Sequence, residues 1–178
     1  RGQVIETLPN IYIDGLLQVS PPPNGEILNS KLRDVMYTLK KLGMNIRWVT
    51  FDTFQSTDSL QILRQAGFIV GYQSMDKTPN PYTVTKYAMY DKRVNMPYHS
   101  VVERELVSLE RDVKKNKIDH PPTGSKDVSD ALAGVVFGCT MRREYWGLYK
   151  VPVQKIPESI KSMAASKDNM KAPIPQAA

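Results

Sequence analysis

The chain is poor in the residues that staple small proteins or gather soft metals. Of its 178 residues one is cysteine, Cys139, and two are histidine, His99 and His120. One thiol excludes an internal disulfide and a Cys-based zinc site, and two imidazoles exclude a His-rich one. Cys139 falls on the apolar face of a predicted helix, which reads as a core thiol in a reducing, intracellular setting. No apolar run approaches the roughly 18–20 residues of a membrane span. The opening "RGQVIETLPN" has no apolar h-region of a signal peptide. Nucleotide and hydrolase fingerprints are missing too. "PPTGSKD" lacks the first glycine of a phosphate-binding G-x-x-x-x-G-K-[ST] loop, and neither G-x-G-x-x-G nor G-x-S-x-G occurs.

What remains is ordinary globular composition, 41% hydrophobic and 24% charged, with a net charge of +6. The length suits one domain with a tail. The positive balance leans toward a polyanionic partner. Its lysines and arginines come in scattered pairs, such as Lys40–Lys41 and Lys114–Lys115, and most read as solvated faces.

Along the chain, "NIYIDGLLQV" (10–19) reads as a strand, and "SPPPNGE" breaks regular structure. The next segment, "NSKLRDVMYTLKKLG", places Leu32, Val35, Met36, Leu39 and Leu42 on a helical period. Asn29 or Ser30 is its N-cap candidate and Gly43 its C′ glycine. "NIRWVTF" (45–51) is a second strand. A short helix follows, capped by Ser56 or Asp58 and ended by Gly67, and "FIVGYQS" (68–74) is a third strand. Helices are expected from "PNPYTVTKYAMYDKR", started by Pro81, from "SVVERELVSLERDV" (100–113), and from "DVSDALAGVVFGCTMRREYW" (127–146). "KKNKIDHPPTGSK" reads as a polar loop. After residue 149 a proline-spotted, small-residue stretch, 150–178, reads as an extended or mobile tail. Strands alternating with helices predict an α/β sheet with helical cover and parallel neighbours.

Two places in this order suit chemistry. Asp52 ends the strand "WVTF", and the carboxyl edge of an open α/β sheet is where ligands bind. A turn-starting aspartate is the plainer alternative. Asp127 and Asp130 open the last helix, about 75 positions later. Asp127 is a plausible N-cap. Asp130, three residues on, lies on the same side of the helix beside an apolar stripe, where a carboxylate needs a partner. A divalent cation is one such partner, since hard ions take carboxylate oxygens. His120, in the loop before these acids, either approaches a metal or phosphate or simply orders the loop. Lys126, beside these acids, reads most plainly as a solvated lysine.

The run "IYIDGLLQVSPPPNGEI…VTFDTFQSTDSLQILRQAGF…KIDHPPTGSKDVSDALAGVV" resembles the C-terminal nuclease domain of the large terminase subunit of tailed bacteriophages, over residues 9–138. The resemblance implies an RNase H-like fold, a mixed sheet flanked by helices, over residues 1–149. It implies a metal-dependent endonuclease that cuts concatemeric viral double-stranded DNA, using two Mg²⁺ or Mn²⁺ ions. Asp52, Asp127 and Asp130 match the family's metal-binding acids, with Asp127 favoured over Asp130 as the direct ligand. Lys126 and His120 become DNA-contact candidates. ATP would be bound by a separate domain of the full subunit, not by this chain. The portal and the small terminase subunit would be partners, with no membrane, at the procapsid in the cytoplasm of an infected bacterium. The family's first aspartate is expected upstream of "LPNIYIDG", so the nuclease domain is expected to be incomplete at its front. Asp14 sits on the wrong strand to replace it. Two other readings are an inert fragment or docking module of the packaging motor, and another RNase H-like enzyme such as a junction resolvase or transposase. The "DHPPTGSKDVSDALAG" run argues against the last.

Overall fold

The structure is a computed structural model that describes residues 8–52 and 56–141. It is a mixed α/β fold. In chain order the elements are β1 (Ile11–Tyr12), α1 (Asn29–Lys41), β2 (Val49–Phe51), α2 (Thr57–Gln65), β3 (Val70–Tyr72), α3 (Asn80–Tyr90), β4 (Val94–Asn95), α4 (Ser100–Ser108), β5 (Glu110–Asp112), β6 (Lys117–Asp119) and α5 (Asp127–Thr140). The tail expected over 150–178, and the last turns of the final expected helix, lie outside the described residues.

The strands β2 and β3 pair in parallel, Val49 with Val70 and Phe51 with Tyr72, as a helical connection between neighbours requires. The expected single sheet is not what the other strands build among the described residues. β1 pairs in parallel with β4, and β5 with β6 antiparallel, giving three two-stranded ladders. The first strand is also much shorter than its apolar run 10–19 suggests. Past Ile13 the side chains from Asp14 to Leu28 are exposed except for half-buried Leu16, so there is no buried face to hold a longer strand in register.

Helix α5 is the hub. Val128, Leu132, Ala133, Val136 and Phe137 are buried, and so are Gly134 and Gly138. One side packs with Ile11, Ile13, Ala88 of α3 and Val102 of α4, with half-buried Cys139 against the same cluster. Another part meets Met75 and Tyr82 through Ala133. Gly138 lets its neighbours approach closely: a β-carbon there would stand 3.0 Å from the Trp48 ring. A second cluster, Val49, Leu60, Leu63, Phe68 and Val70, joins β2, α2 and β3, with Met36 and Tyr37 of α1 laid over it. Each fully buried leucine there contributes about 1.5–3 kcal/mol.

Helix ends follow the glycines more than the expected caps. Gly43 and Gly67 have φ of +92° and +79°, and the Gly43 and Met44 amides donate back to Lys40 and Leu39. Only glycine adopts such angles without strain. Asn29, Ser30 and Asp58 do not cap: Leu28 and Ser56 hold the N-cap positions of α1 and α2, and neither side chain closes the helix. At α4 the cap is His99, whose Nδ1 accepts from the Val102 amide at 3.4 Å. That helix stops at Ser108, five residues short of the expected end, because Leu109 turns extended and the chain enters the β5–β6 hairpin.

Candidate functional site

An open cleft of about 760 Å³ lies among α1 and the loop before it, the end of β2 and the starts of α2 and α5. The loop before α1 supplies Pro21, Gly25, Glu26 and Ile27 to its wall. Phe51, at the carboxyl end of β2, and Ser56, at the start of α2, line it as well. Asp127, the first residue of α5, lines it too, together with Asn29, Leu32 and Ser59. The order of elements explains this meeting. β2 is buried at Val49 against β3, so its last residue emerges at the edge of the ladder. Asp52 follows at once and is exposed, and its carbonyl accepts a hydrogen bond from the Ser56 hydroxyl. Phe51 at the strand end and Asp127 at the helix start, far apart in sequence, therefore line one cleft, while Asp52 is not among its lining residues.

Asp127 is exposed and held from behind. Its carboxylate accepts from the Ser125 hydroxyl at 3.1 Å, while its own amide donates to the same oxygen at 3.3 Å. Lys126, not Asp127, occupies the N-cap position.

Asp130 has a different environment. Its carboxylate accepts from the Lys126 ammonium at 2.9 and 3.1 Å and from the Tyr82 hydroxyl at 2.5 Å. The same ammonium reaches Asp76, in the loop after β3, at 2.7 Å. The partner that Asp130 needs beside the apolar stripe is thus supplied by the protein. Lys126 differs from its expected place: it is 6% exposed rather than solvated. Two carboxylates explain how an ammonium tolerates that position, since a buried charge persists only when paired. Burial pulls the Lys126 ammonium down, but the bonds to Asp130 and Asp76 outweigh it and leave it above its ordinary value. Burial raises the Asp130 carboxyl, against the opposing pull of Lys126 and Tyr82. Tyr82 is raised by burial and then by Asp130, so it stays a hydrogen-bond donor.

His120 is not among the residues lining the cleft. Its Nδ1 lies 2.8 Å from the Pro121 carbonyl and its amide donates to Asp119, so it orders the turn leading to Gly124. Asp119 is itself lowered by the Lys117 ammonium 2.7 Å away.

Sequence reasoning passed over Glu105. It is 4% exposed on α4, and its carboxylate accepts from the Ser129 amide at 2.7 Å and faces the Ser125 hydroxyl at 3.4 Å. The signal was present: Glu105 stands on the stripe of Val102 and Leu109, where an acid is out of place without a donor. Asp76 and Tyr82 had no such local mark.

Among the described residues no three His, Cys, Asp or Glu side chains are grouped as a metal site. No helix of the described chain is long and apolar enough to cross a membrane. No family model, curated protein or solved structure matches the chain.

Proposed function

We propose that this chain is the nuclease part of a phage DNA-packaging terminase, an RNase H-like domain that cuts double-stranded DNA with Mg²⁺ or Mn²⁺. The observation that carries the reading is that Asp127 lines the same cleft as Phe51, the residue before Asp52. Both carboxylates are exposed. Their chemistry fits the ion: Mg²⁺ takes one or two carboxylates and completes its shell with water and substrate phosphate. Asp52 and Asp127 would hold it. Bound there, it would supply an acidified water and charge stabilisation of the leaving oxygen.

The chain's own residues divide the remaining work. Asp130 keeps Lys126 paired and buried, so the phosphate contact first assigned to Lys126 falls instead to lysines and arginines on the surface. Such contacts position DNA without reading its sequence. The partners and place implied are the portal and small terminase subunit, at the procapsid in the infected host's cytoplasm.

The test is Mn²⁺ titration of the chain, followed by electron paramagnetic resonance of the free ion, together with nicking of supercoiled plasmid. The parent chain should take up Mn²⁺ saturably, and Asp52→Asn and Asp127→Asn should each abolish that uptake. Unchanged uptake by the variant carrying both substitutions overturns the assignment. Plasmid nicking that persists in that variant overturns it equally.

A further inference from the structure

Helix α3 turns one side to the core and the other to solvent. Pro81, Tyr82, Thr85 and Ala88 are buried. Thr83, Lys86, Tyr87 and Tyr90 are exposed, and their spacing of three and four residues sets them in one row along the helix. Two aromatic rings of that row stand in water: Tyr87 is 61% exposed and Tyr90 73%. Tyr82 and Tyr98 are tied to the carboxylates of Asp130 and Glu103, whereas the Tyr87 and Tyr90 hydroxyls hold no hydrogen bond among the described residues. Within the row the Lys86 ammonium lies over the Tyr90 ring, 5.7 Å from its centre. Such a pair steadies an exposed helix only slightly, and it leaves the Tyr87 ring uncovered.

The free charge of this face has one sign. Asp76 and Asp91 bound it, and no acid lies between them. Asp76 pairs with buried Lys126 at 2.7 Å, and Asp91 with Arg93 at 3.3 Å. Lys77, Lys86 and Lys92 are exposed and form no ion pair among the described residues. A ligand that complements the face brings negative charge for the lysines and flat groups for two tyrosine rings.

We propose that the exposed row of α3, with Lys77 and Lys92 at its ends, binds single-stranded nucleic acid. Bases stack on Tyr87 and Tyr90, and phosphates meet the lysines. Every base has a π-face, so this contact is tolerant of sequence. A duplex hides those faces between its own pairs, and an acidic peptide supplies the charge without the rings. The inference shares a nucleic-acid ligand with the proposed nuclease, but it needs no metal and neither Asp52 nor Asp127.

The experiment is fluorescence anisotropy of a labelled oligothymidylate in the absence of divalent metal. It compares the parent chain with Tyr87→Ala, Tyr90→Ala, both alanines together, both tyrosines changed to phenylalanine, and Lys86→Gln. All these side chains are exposed, so melting temperatures should stay at the parent's. Each alanine should weaken binding roughly five-fold or more, and the phenylalanine pair, which keeps the rings, should bind like the parent. Lys86→Gln should flatten the slope of log affinity against log salt by about 0.7. A double alanine variant that binds the single strand like the parent overturns the proposal. So does a loss that the phenylalanine pair shares, or displacement of the strand by polyglutamate. Plasmid nicking in Mn²⁺ is read on the same double variant. Nicking that continues while single-strand binding ignores the alanines sinks this proposal alone; a parent chain that binds neither single strand nor duplex sinks the nuclease reading with it.

Discussion

Replacing Lys126 by methionine tests how much of this fold depends on one ammonium. The side chain is 7% exposed and bridges Asp130, 23% exposed, to Asp76, 45% exposed. Methionine keeps the volume and removes the charge. The two carboxylates left behind differ. Asp76 relaxes into water, so its pair contributes at most about 1 kcal/mol. Asp130 stays beside the apolar face of α5 with only the Tyr82 hydroxyl for a partner. Removing one member of a buried pair costs about 3–5 kcal/mol, and the low end applies because Asp130 keeps that bond. At roughly 2–4 °C per kcal/mol for a chain of this length, the melting temperature should fall by about 6–12 °C at pH 8.

The pH dependence has a defined sign. Burial already raises the Asp130 carboxyl, and losing Lys126 raises it further. The folded variant then holds its proton at pH values where the unfolded chain, with a carboxyl near about 3.9, has released it. Its stability is present below that unfolded value and is lost as pH rises through the folded one. The deficit should therefore shrink between pH 8 and pH 5. Adding Asp130→Asn should recover part of the loss, since the stranded charge is gone. Scanning calorimetry of the three proteins at both pH values decides the matter. A Lys126→Met melting temperature within a degree or two of the parent, or a double variant no better than the single, refutes the reasoning.

Two glycines of α5 should respond oppositely to alanine. At Gly134 the new methyl would lie 3.8 Å from Met75 Cε, ordinary contact, so Gly134→Ala should stabilise by up to about 1 kcal/mol through helix propensity. At Gly138 it would meet the Trp48 ring at 3.0 Å, and overpacking of about 1–3 kcal/mol should cancel or exceed that gain. Chemical denaturation of both reads the difference, and equal shifts would contradict the packing argument. Binding to double-stranded DNA should be weak, indifferent to sequence and steeply weakened by salt, with affinity falling log-linearly in fluorescence anisotropy titrations. Tight binding that ignores salt would contradict the backbone-contact reading.

The helices were legible because apolar residues recur at the helical period and glycine marks their ends, as at Gly43 and Gly67. The short ladders were not. β5 is "ERD" and β6 is "KID", strands too charged to show an apolar alternation. The helical pattern of α4 therefore reads straight through them to residue 113. β4 is two residues long and carries no pattern of its own. Position along the chain placed Asp52 after a strand and Asp127 at a helix start; the structure agrees on both, but of the two Asp127 alone lines the cleft. Spacing put Asp130 on the same side as Asp127 but said nothing of what it meets. Lys126 is a lysine in a polar loop, so solvation was the natural reading. Its burial depends on Asp76, 50 positions away, and that is a fact of tertiary structure alone.

The pairing of β1 with β4 has a consequence for the cost of closing the chain. Ile11 meets Val94, whereas the β2–β3 ladder joins Val49 to Val70. The chain enclosed by the first pair is about four times longer, two doublings, and closing it costs roughly 1.2 kcal/mol more in entropy. That closure is rewarded by only two strand residues, with Ile11 and Ile13 burying their side chains behind them. The same strand anchors the near end of the loop whose Pro21–Ile27 stretch walls the cleft, and α1 anchors the far end. The cleft's outer wall is therefore secured by the most entropically expensive contact among the ladders.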